Sequence, residues 1–144
     1  MKYTGQQAVA FCNGYNALED TALDNTRGFA AWDARAILLP DAEKFLKRGQ
    51  ALQKERLAII KRHSANEKGE IQYRNPNEPD DTKRRVLFRD EAAAQADFDA
   101  WSAKTEELDA FEFEAEVPLL PKTFFDGLTL PQKVRTGFKP FVAP

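Results

Sequence analysis

Apolar residues recur every three or four positions along two long stretches of this chain, the spacing of one face of an α-helix. The first stretch runs from Asp41 to His63 and the second from Glu91 to Ala110, with Asp90 placed to cap its first turn. At 1.5 Å per residue the first helix is roughly 35 Å long, so it needs a partner along its length. Residues 44–89 carry a net charge of +7 and residues 90–116 a net charge of −9. We therefore expect an antiparallel helical hairpin with oppositely charged arms.

Two shorter helices are predicted before this hairpin. Thr4 is placed to cap the first, and either Asp24 or Thr26 the second. Pro40 predicts a kink or break at the end of the second helix, because proline disfavours helical geometry in the residue before it. The apolar residues of this second helix fall on one face: Phe29, Trp32, Ala36 and Leu39.

Three segments have the pattern of β-strands. Residues 70–74 and 84–89 are predicted to form a β-hairpin, joined by a polar, proline-containing exposed loop at 75–82. Phe111–Val117 alternates apolar and acidic residues at period two, the clearest strand signal in the chain. We expect it to join a small sheet.

The C-terminal segment, residues 118–144, is rich in phenylalanine, leucine and proline. So much apolar surface must either wrap over the protein's own core or dock onto another subunit. The expected fold class is α+β, mainly α: a long antiparallel helical hairpin with a small antiparallel β element and an apolar Pro/Phe-rich C-terminal tail. We expect one domain, divided into N-terminal helices (1–40), the arms with their β elements (41–117) and a docking tail (118–144).

Composition narrows the function classes. The 144 residues include 21 basic and 23 acidic side chains, one cysteine and one histidine. The near balance of charge gives no global attraction to nucleic acid or to an anionic membrane. The single cysteine and single histidine exclude disulfide frameworks and Cys/His zinc sites. No apolar run is long enough to span a membrane, and the first residues lack a signal-peptide core. We expect a cytoplasmic protein without cofactors that does not bind duplex DNA.

Catalytic groups are sparse. Cys12 lies on the apolar face of its predicted helix, where a buried core cysteine is far more common than a nucleophile. His63 lies at the end of a helix, where the dipole favours an imidazolium. Glu112, Glu114 and Glu116 share one strand face and could bind a divalent cation, but a solvated polar face is the more common arrangement. We therefore expect no enzyme, no catalytic residue and no metal site.

One local concentration of charge stands out. Basic side chains gather at the end of the long helix and on the predicted β-hairpin, with aromatic residues among them. Guanidinium groups beside aromatic rings suit phosphate oxygens and a stacked base. A solvated face that pairs with the acidic arm is the competing interpretation. The candidate ligand-binding residues are Lys61, Arg62, Tyr73, Arg74, Lys83, Arg84, Arg85 and Arg89.

The order of elements resembles a family of short tailed-phage and prophage proteins of unassigned function. The resemblance lies in the segments 52–57 and 63–71, the acidic helix, the Glu-alternating strand, and the apolar ends 128–130 and 138–141. The chain departs from that pattern in its longer loop at 75–82 and its Phe-rich C-terminus. The resemblance carries over no functional residues.

Phage origin implies a protein that acts by binding in the host cytoplasm. The leading hypothesis is a host-takeover or anti-defence protein that occludes a host factor or sequesters a small anionic, nucleotide-like signal. The alternative is a virion accessory or assembly protein that docks through its Phe-rich tail. Both hypotheses imply a homodimer or higher oligomer, since a long hairpin in a short chain exposes much of its length.

Overall fold

Four helices and two short strands make up the fold. The computed structural model describes all of the chain, Met1–Pro144. The protein is mainly helical with a small antiparallel sheet, as the sequence predicts. The elements are β1 (Lys2–Thr4), α1 (Gly5–Asn16), α2 (Asn25–Arg62), α3 (Glu91–Ala110), β2 (Glu112–Glu114) and α4 (Gln132–Phe138), with single 3-10 turns at Asp81–Lys83 and Lys139–Phe141.

The chain divides into two compact units. The first unit contains residues 1–48 and 108–144, and the second contains residues 49–107. Helices α2 and α3 each contribute to both units. The boundary that the sequence suggests at residue 40 lies inside α2.

Side-chain caps begin the helices where the sequence predicts them. The Thr4 hydroxyl accepts a hydrogen bond from the Gln7 amide, and the Gln7 side chain accepts one from the Thr4 amide, which is a capping box. Of the two candidates for α2, Asp24 is the cap, because its carboxylate accepts from the Arg27 amide at 3.0 Å. The Asp90 carboxylate accepts from the amides of Ala92 and Ala93, in the first turn of α3, at 3.1 and 3.2 Å.

Of the kink or break predicted at Pro40, the break does not occur, since α2 is a continuous helix of 38 residues that contains this proline. A proline inside a helix removes one backbone hydrogen bond and costs about 3 kcal/mol. Core contacts on both sides hold the helix together: Leu38 is 0 % and Ala42 is 2 % exposed. Asp41 also accepts a hydrogen bond from the buried Tyr3 hydroxyl at 2.5 Å, which ties this turn to β1.

Aromatic rings from both ends of the chain form the core of the first unit. The rings of Phe11 and Phe138 stack with centroids 4.4 Å apart, and Phe141 packs edge-on against Phe11 at 5.3 Å. Helix α4 approaches α1 closely at Gly14 and Gly137. A Cβ atom on Gly137 would lie 2.4 Å from the Ala10 carbonyl oxygen, so this contact leaves no room for a side chain.

The tail packs over the protein's own core, which decides between the two arrangements that the sequence left open. Phe124, Phe138 and Phe141 are at most 1 % exposed. The amide of Leu120 donates to the Phe141 carbonyl at 2.8 Å, and the Ala143 amide donates to the Leu120 carbonyl at 2.8 Å. The phenylalanines that suggested a docking element therefore serve as core residues of this chain.

The sheet is smaller than the alternation at 111–117 suggests. Strand β2 has three residues and pairs antiparallel with β1, with Tyr3 opposite Phe113. The alternation itself persists beyond the strand, since Phe113, Ala115 and Val117 face inward while the glutamates between them are exposed. Only β1 is available as a neighbour, so the regular ladder ends with it.

The second unit contains the antiparallel helical hairpin. The Trp101 indole in α3 donates to the Leu52 carbonyl in α2 at 2.7 Å. Two ion pairs join the same helices, Lys104 with Glu55 at 2.7 Å and Arg62 with Asp97 at 3.1 Å. The early part of one helix thus meets the late part of the other, as the sequence predicts.

The β-hairpin predicted at 70–74 and 84–89 is wrong in detail. The two segments lie antiparallel, but they share only an isolated bridge between Tyr73 and Val86 and form no strand. Two backbone hydrogen bonds join them, from Arg74 to Arg85 and from Leu87 to Gln72, each 2.8 Å long. Next to these bonds the Asn75 side chain takes the place of backbone pairing, because its Oδ1 accepts from the Arg85 amide and its Nδ2 donates to the Lys83 carbonyl, each at 2.9 Å.

Candidate functional site: an aromatic groove

The predicted basic residues all lie in the second unit, between the end of α2 and the start of α3. The structure brings several of them close to carboxylates rather than leaving them free. Four of the seven basic residues form ion pairs: Arg62 with Asp97 at 3.1 Å, Arg74 with Glu91, Lys83 with Asp80 at 4.0 Å, and Arg84 with Asp81 at 3.0 Å.

Two of these carboxylates, Asp80 and Asp97, have lowered pKa values, which favours their charged form. Hydrogen bonds from the Thr82 hydroxyl and amide lower the pKa of Asp80. The hydrogen bond from His63 Nε2, 2.6 Å long, and the neighbouring Arg62 lower the pKa of Asp97. Much of the positive charge in this region is therefore compensated within the unit.

Lys61, Arg85 and Arg89 form no ion pair, although the Arg89 guanidinium donates to the Arg62 carbonyl at 2.8 Å. Tyr73 is 36 % exposed, and the Arg84 guanidinium lies 5.7 Å from the centre of its ring. A guanidinium therefore lies beside an aromatic ring, as the sequence suggests, but only three of the basic side chains in the cluster are without an ion pair. Ligand binding by the cluster stays a prediction.

The other candidate groups have structural surroundings. Cys12 is 5 % exposed, and this burial raises the pKa of its thiol, which disfavours the nucleophilic thiolate. Ser64 is fully buried and donates to the Glu70 carbonyl. No three His, Cys, Asp or Glu side chains lie close enough together to hold a metal ion. No helix has the combination of length and apolar character needed to cross a membrane.

A groove of about 440 Å³ opens in the first unit, between the end of α1, the loop that follows and the first turns of α2. We call it the aromatic groove. Its apolar lining consists of Tyr15, Leu18, Leu23, Phe29 and Trp32. The volume is within the range of ligand-binding clefts, roughly 300–1,000 Å³.

The aromatic wall of this groove comes from the face of α2 that the sequence suggests as apolar. Phe29 is 68 % and Trp32 is 53 % exposed, so this face is turned to solvent. Helix α2 packs on the core instead through a stripe of small residues, in which Ala31 and Ala34 are 0 % exposed. Alanines let the helix approach the core closely, which leaves the large rings on the outside.

Hydrogen bonds fix the start of α2, where this wall begins. Asp24 caps the helix and pairs with the Arg27 guanidinium at 3.1 Å. Arg27 in turn donates to the carbonyl oxygens of Phe124 at 3.1 Å and Asp126 at 2.8 Å. Because the helix is tied to the tail in this way, the wall is formed before any ligand arrives.

Tyr15, which lines the groove, contacts Arg35. The Arg35 guanidinium lies 5.1 Å from the centre of the Tyr15 ring, a cation–π contact. The Nε atom of Arg35 is buried without a hydrogen-bond partner, so this contact is part of the compensation for its burial. The tyrosine ring thus has a fixed place in the groove.

The groove is electrically negative. Three carboxylates line it, and no basic side chain does. Arg27 compensates Asp24, whereas Glu19 and Asp20 are exposed and form no ion pair. A ligand in the groove would meet aromatic faces and two uncompensated negative charges.

Sequence reasoning placed Phe29 and Trp32 on the apolar face of their helix, but it did not recognise that a different face packs on the core, so it missed this site. The signal that distinguishes the two faces is the competing stripe of Ala31, Ala34, Leu38 and Ala42, which also has helical spacing.

Comparison of the chain with protein-family models, curated proteins and solved structures finds no match. The resemblance to phage proteins gains no support from it.

Proposed function

We propose that the protein acts by binding, and that it occludes a partner protein by holding one of its segments in the aromatic groove. The observation that carries this proposal is the exposure of Phe29 and Trp32 on the wall of a groove. Neighbouring large aromatic rings left in water are costly, and such patches commonly mark interaction sites. In the host-takeover role that the resemblance to phage proteins implies, the partner is a host factor.

The architecture of the groove supports this proposal. Tryptophan is enriched among the few interface residues that contribute most of the binding energy. The hydrogen bonds of Arg27 and the contact between Arg35 and Tyr15 fix the walls in advance. A preformed site loses little conformational entropy on binding, so it needs fewer contacts for a given affinity.

A selection from displayed random dodecapeptides tests the proposal. We expect the protein to enrich a defined set of peptides, and the variant Phe29→Ser to lose them. Leu57→Ser is the matched control, because Leu57 is a similarly exposed apolar residue, 45 % accessible, in the second unit. The proposal is wrong if no peptide is enriched, or if Phe29→Ser enriches the same peptides as the unmodified protein.

Sequestration of a small anion by the basic cluster is a second candidate. The observation that favours it is Arg85, an exposed guanidinium without an ion pair, next to the Arg84–Tyr73 contact. A cyclic dinucleotide is the probe, measured by calorimetry. Arg85→Glu should abolish binding without unfolding the protein, whereas reversal of Arg84 would also disturb its bond to the Glu78 carbonyl. Unchanged binding by Arg85→Glu, or no heat at all, would exclude this candidate.

A further inference from the structure

We infer that the segment held in the aromatic groove contains an arginine, whose guanidinium stacks on the exposed rings and faces the carboxylates of Glu19 and Asp20. This inference rests on the proposed function and adds the chemistry of the partner. It commits to a basic segment of a different protein.

The charges of the groove argue against an acidic or a neutral segment as its occupant. Glu19 and Asp20 are free of ion pairs, and no lysine or arginine lines the groove to neutralise them. An acidic segment would be repelled by both carboxylates. A neutral apolar segment would cover them and remove them from water without a partner, which is unfavourable.

The aromatic rings distinguish arginine from a simple point charge. Phe29 and Trp32 both line the groove and are more than half exposed, so much of each ring is open to a ligand. A planar guanidinium stacks on aromatic rings and is weakly hydrated. Its N–H groups point outward in the guanidinium plane and remain free to bind carboxylates. Lysine offers the charge but not this combination.

The protein already shows this preference in its own contacts. Arg35 lies over Tyr15, Arg48 over Phe111, Arg84 over Tyr73 and Arg135 over Phe125, all with the guanidinium carbon 5.1–5.7 Å from the ring centre. Phe29 and Trp32 have no such internal partner. The groove therefore contains aromatic rings and unpaired carboxylates but no arginine of its own. We expect the ligand to supply that arginine.

The test uses one dodecapeptide from the selection described above, synthesised in three forms that differ only at one position: arginine, lysine or glutamine. The protein is labelled with 5-fluorotryptophan. Its two tryptophans, Trp32 in the groove and Trp101 in the second unit, give separate fluorine resonances. Binding in the groove moves the Trp32 resonance and leaves the Trp101 resonance in place.

We expect the glutamine peptide to bind about tenfold more weakly than the arginine peptide, with lysine between them. Combining Glu19→Gln with Asp20→Asn should remove most of this difference. The matched control combines Glu106→Gln with Glu107→Gln, which neutralises two adjacent, exposed and unpaired carboxylates in the second unit. It should leave the difference unchanged.

The outcomes separate this inference from the proposed function. If the three peptides move the Trp32 resonance with equal affinity, the groove binds a segment but the inference about arginine is wrong. If none of the selected peptides moves the Trp32 resonance, the proposed function fails as well. If self-association in the absence of peptide shifts the Trp32 resonance, the occupant is a second copy of this chain and the inference is overturned.

Discussion

The close contact between α1 and α4 makes Gly137 sensitive to a single added methyl group. In Gly137→Ala the new Cβ atom would lie 2.4 Å from the Ala10 carbonyl oxygen and 2.9 Å from its carbon, where 3.0 Å is the practical minimum. The obstacle is backbone, so no side chain can rotate away. The helices must separate by roughly 0.6 Å or more, and overpacking of this kind costs about 1–3 kcal/mol.

Separation also weakens the contacts around the glycine. The rings of Phe11 and Phe138 stack across the same two helices at 4.4 Å. A gap of about 0.5–1 Å forfeits a quarter to a half of the dispersion attraction between atoms that were in contact. Alanine is a better helix former than glycine by about 1 kcal/mol, which offsets part of the loss. We expect a net destabilisation of about 2 kcal/mol.

Gly49→Ala is the matched control. Gly49 lies inside α2, and a Cβ atom there meets nothing within 4 Å. This substitution should stabilise the helix by about 0.5–1 kcal/mol. The same chemical change is thus expected to have opposite signs at the two positions.

Urea unfolding followed by fluorine resonances measures both variants, because each unit contains one tryptophan. With a slope of about 2 kcal/mol per molar urea, Gly137→Ala should lower the midpoint of the Trp32 transition by about 1 M. Gly49→Ala should raise the midpoint of unfolding. A midpoint for Gly137→Ala at or above that of the unmodified protein would refute the close contact between α1 and α4.

Three further predictions concern single polar groups. Tyr3→Phe removes the buried bond to Asp41 and should cost about 1.5–3 kcal/mol in urea unfolding. Burial, and after it Asp41, raises the pKa of the Tyr3 hydroxyl. The stability that this hydroxyl contributes is therefore fully present below about pH 10 and is lost as the pH rises further. The Tyr3→Phe variant should lack this alkaline loss of stability. The pKa of Asp97 is lowered from 3.8, chiefly by His63. Its stabilisation is therefore fully present above about pH 3.8 and lost as pH falls through the lowered pKa, so the difference in urea midpoint between Asp97→Asn and the unmodified protein should shrink as the pH is lowered below 3.8. Asp24→Ala removes the cap of α2 and should cost about 1 kcal/mol in thermal unfolding; an unchanged Tm would contradict the cap.

Local signals in the sequence were reliable where one residue determines the structure. Thr4, Asp24 and Asp90 satisfy free amide groups within their own turn, so their roles can be read without the rest of the fold. The hairpin of α2 and α3 follows from helical spacing over many residues. The same spacing describes the stripe of α3 that faces α2, including Trp101.

The failures arose where distant parts of the chain decide the outcome. Pro40 lies within α2 because Leu38 and Ala42 pack against a core supplied largely by the two ends of the chain. Phe29 and Trp32 are exposed because alanines, not the larger residues, face that core. Hydrophobicity alone ranks the aromatic face first, so the groove could not be located before the packing was known.

Because the core of the first unit joins the two ends of the chain, it has a consequence for folding during synthesis. Residues 49–107 are contiguous, so the second unit can fold as soon as it has left the ribosome. Phe11 must wait for Phe138, its stacking partner near the other end. At about 5–20 residues per second the intervening chain takes on the order of 10 s to synthesise. During that interval the apolar face of α1 is uncovered, so a nascent chain arrested before α4 is the form most exposed to chaperones and proteases.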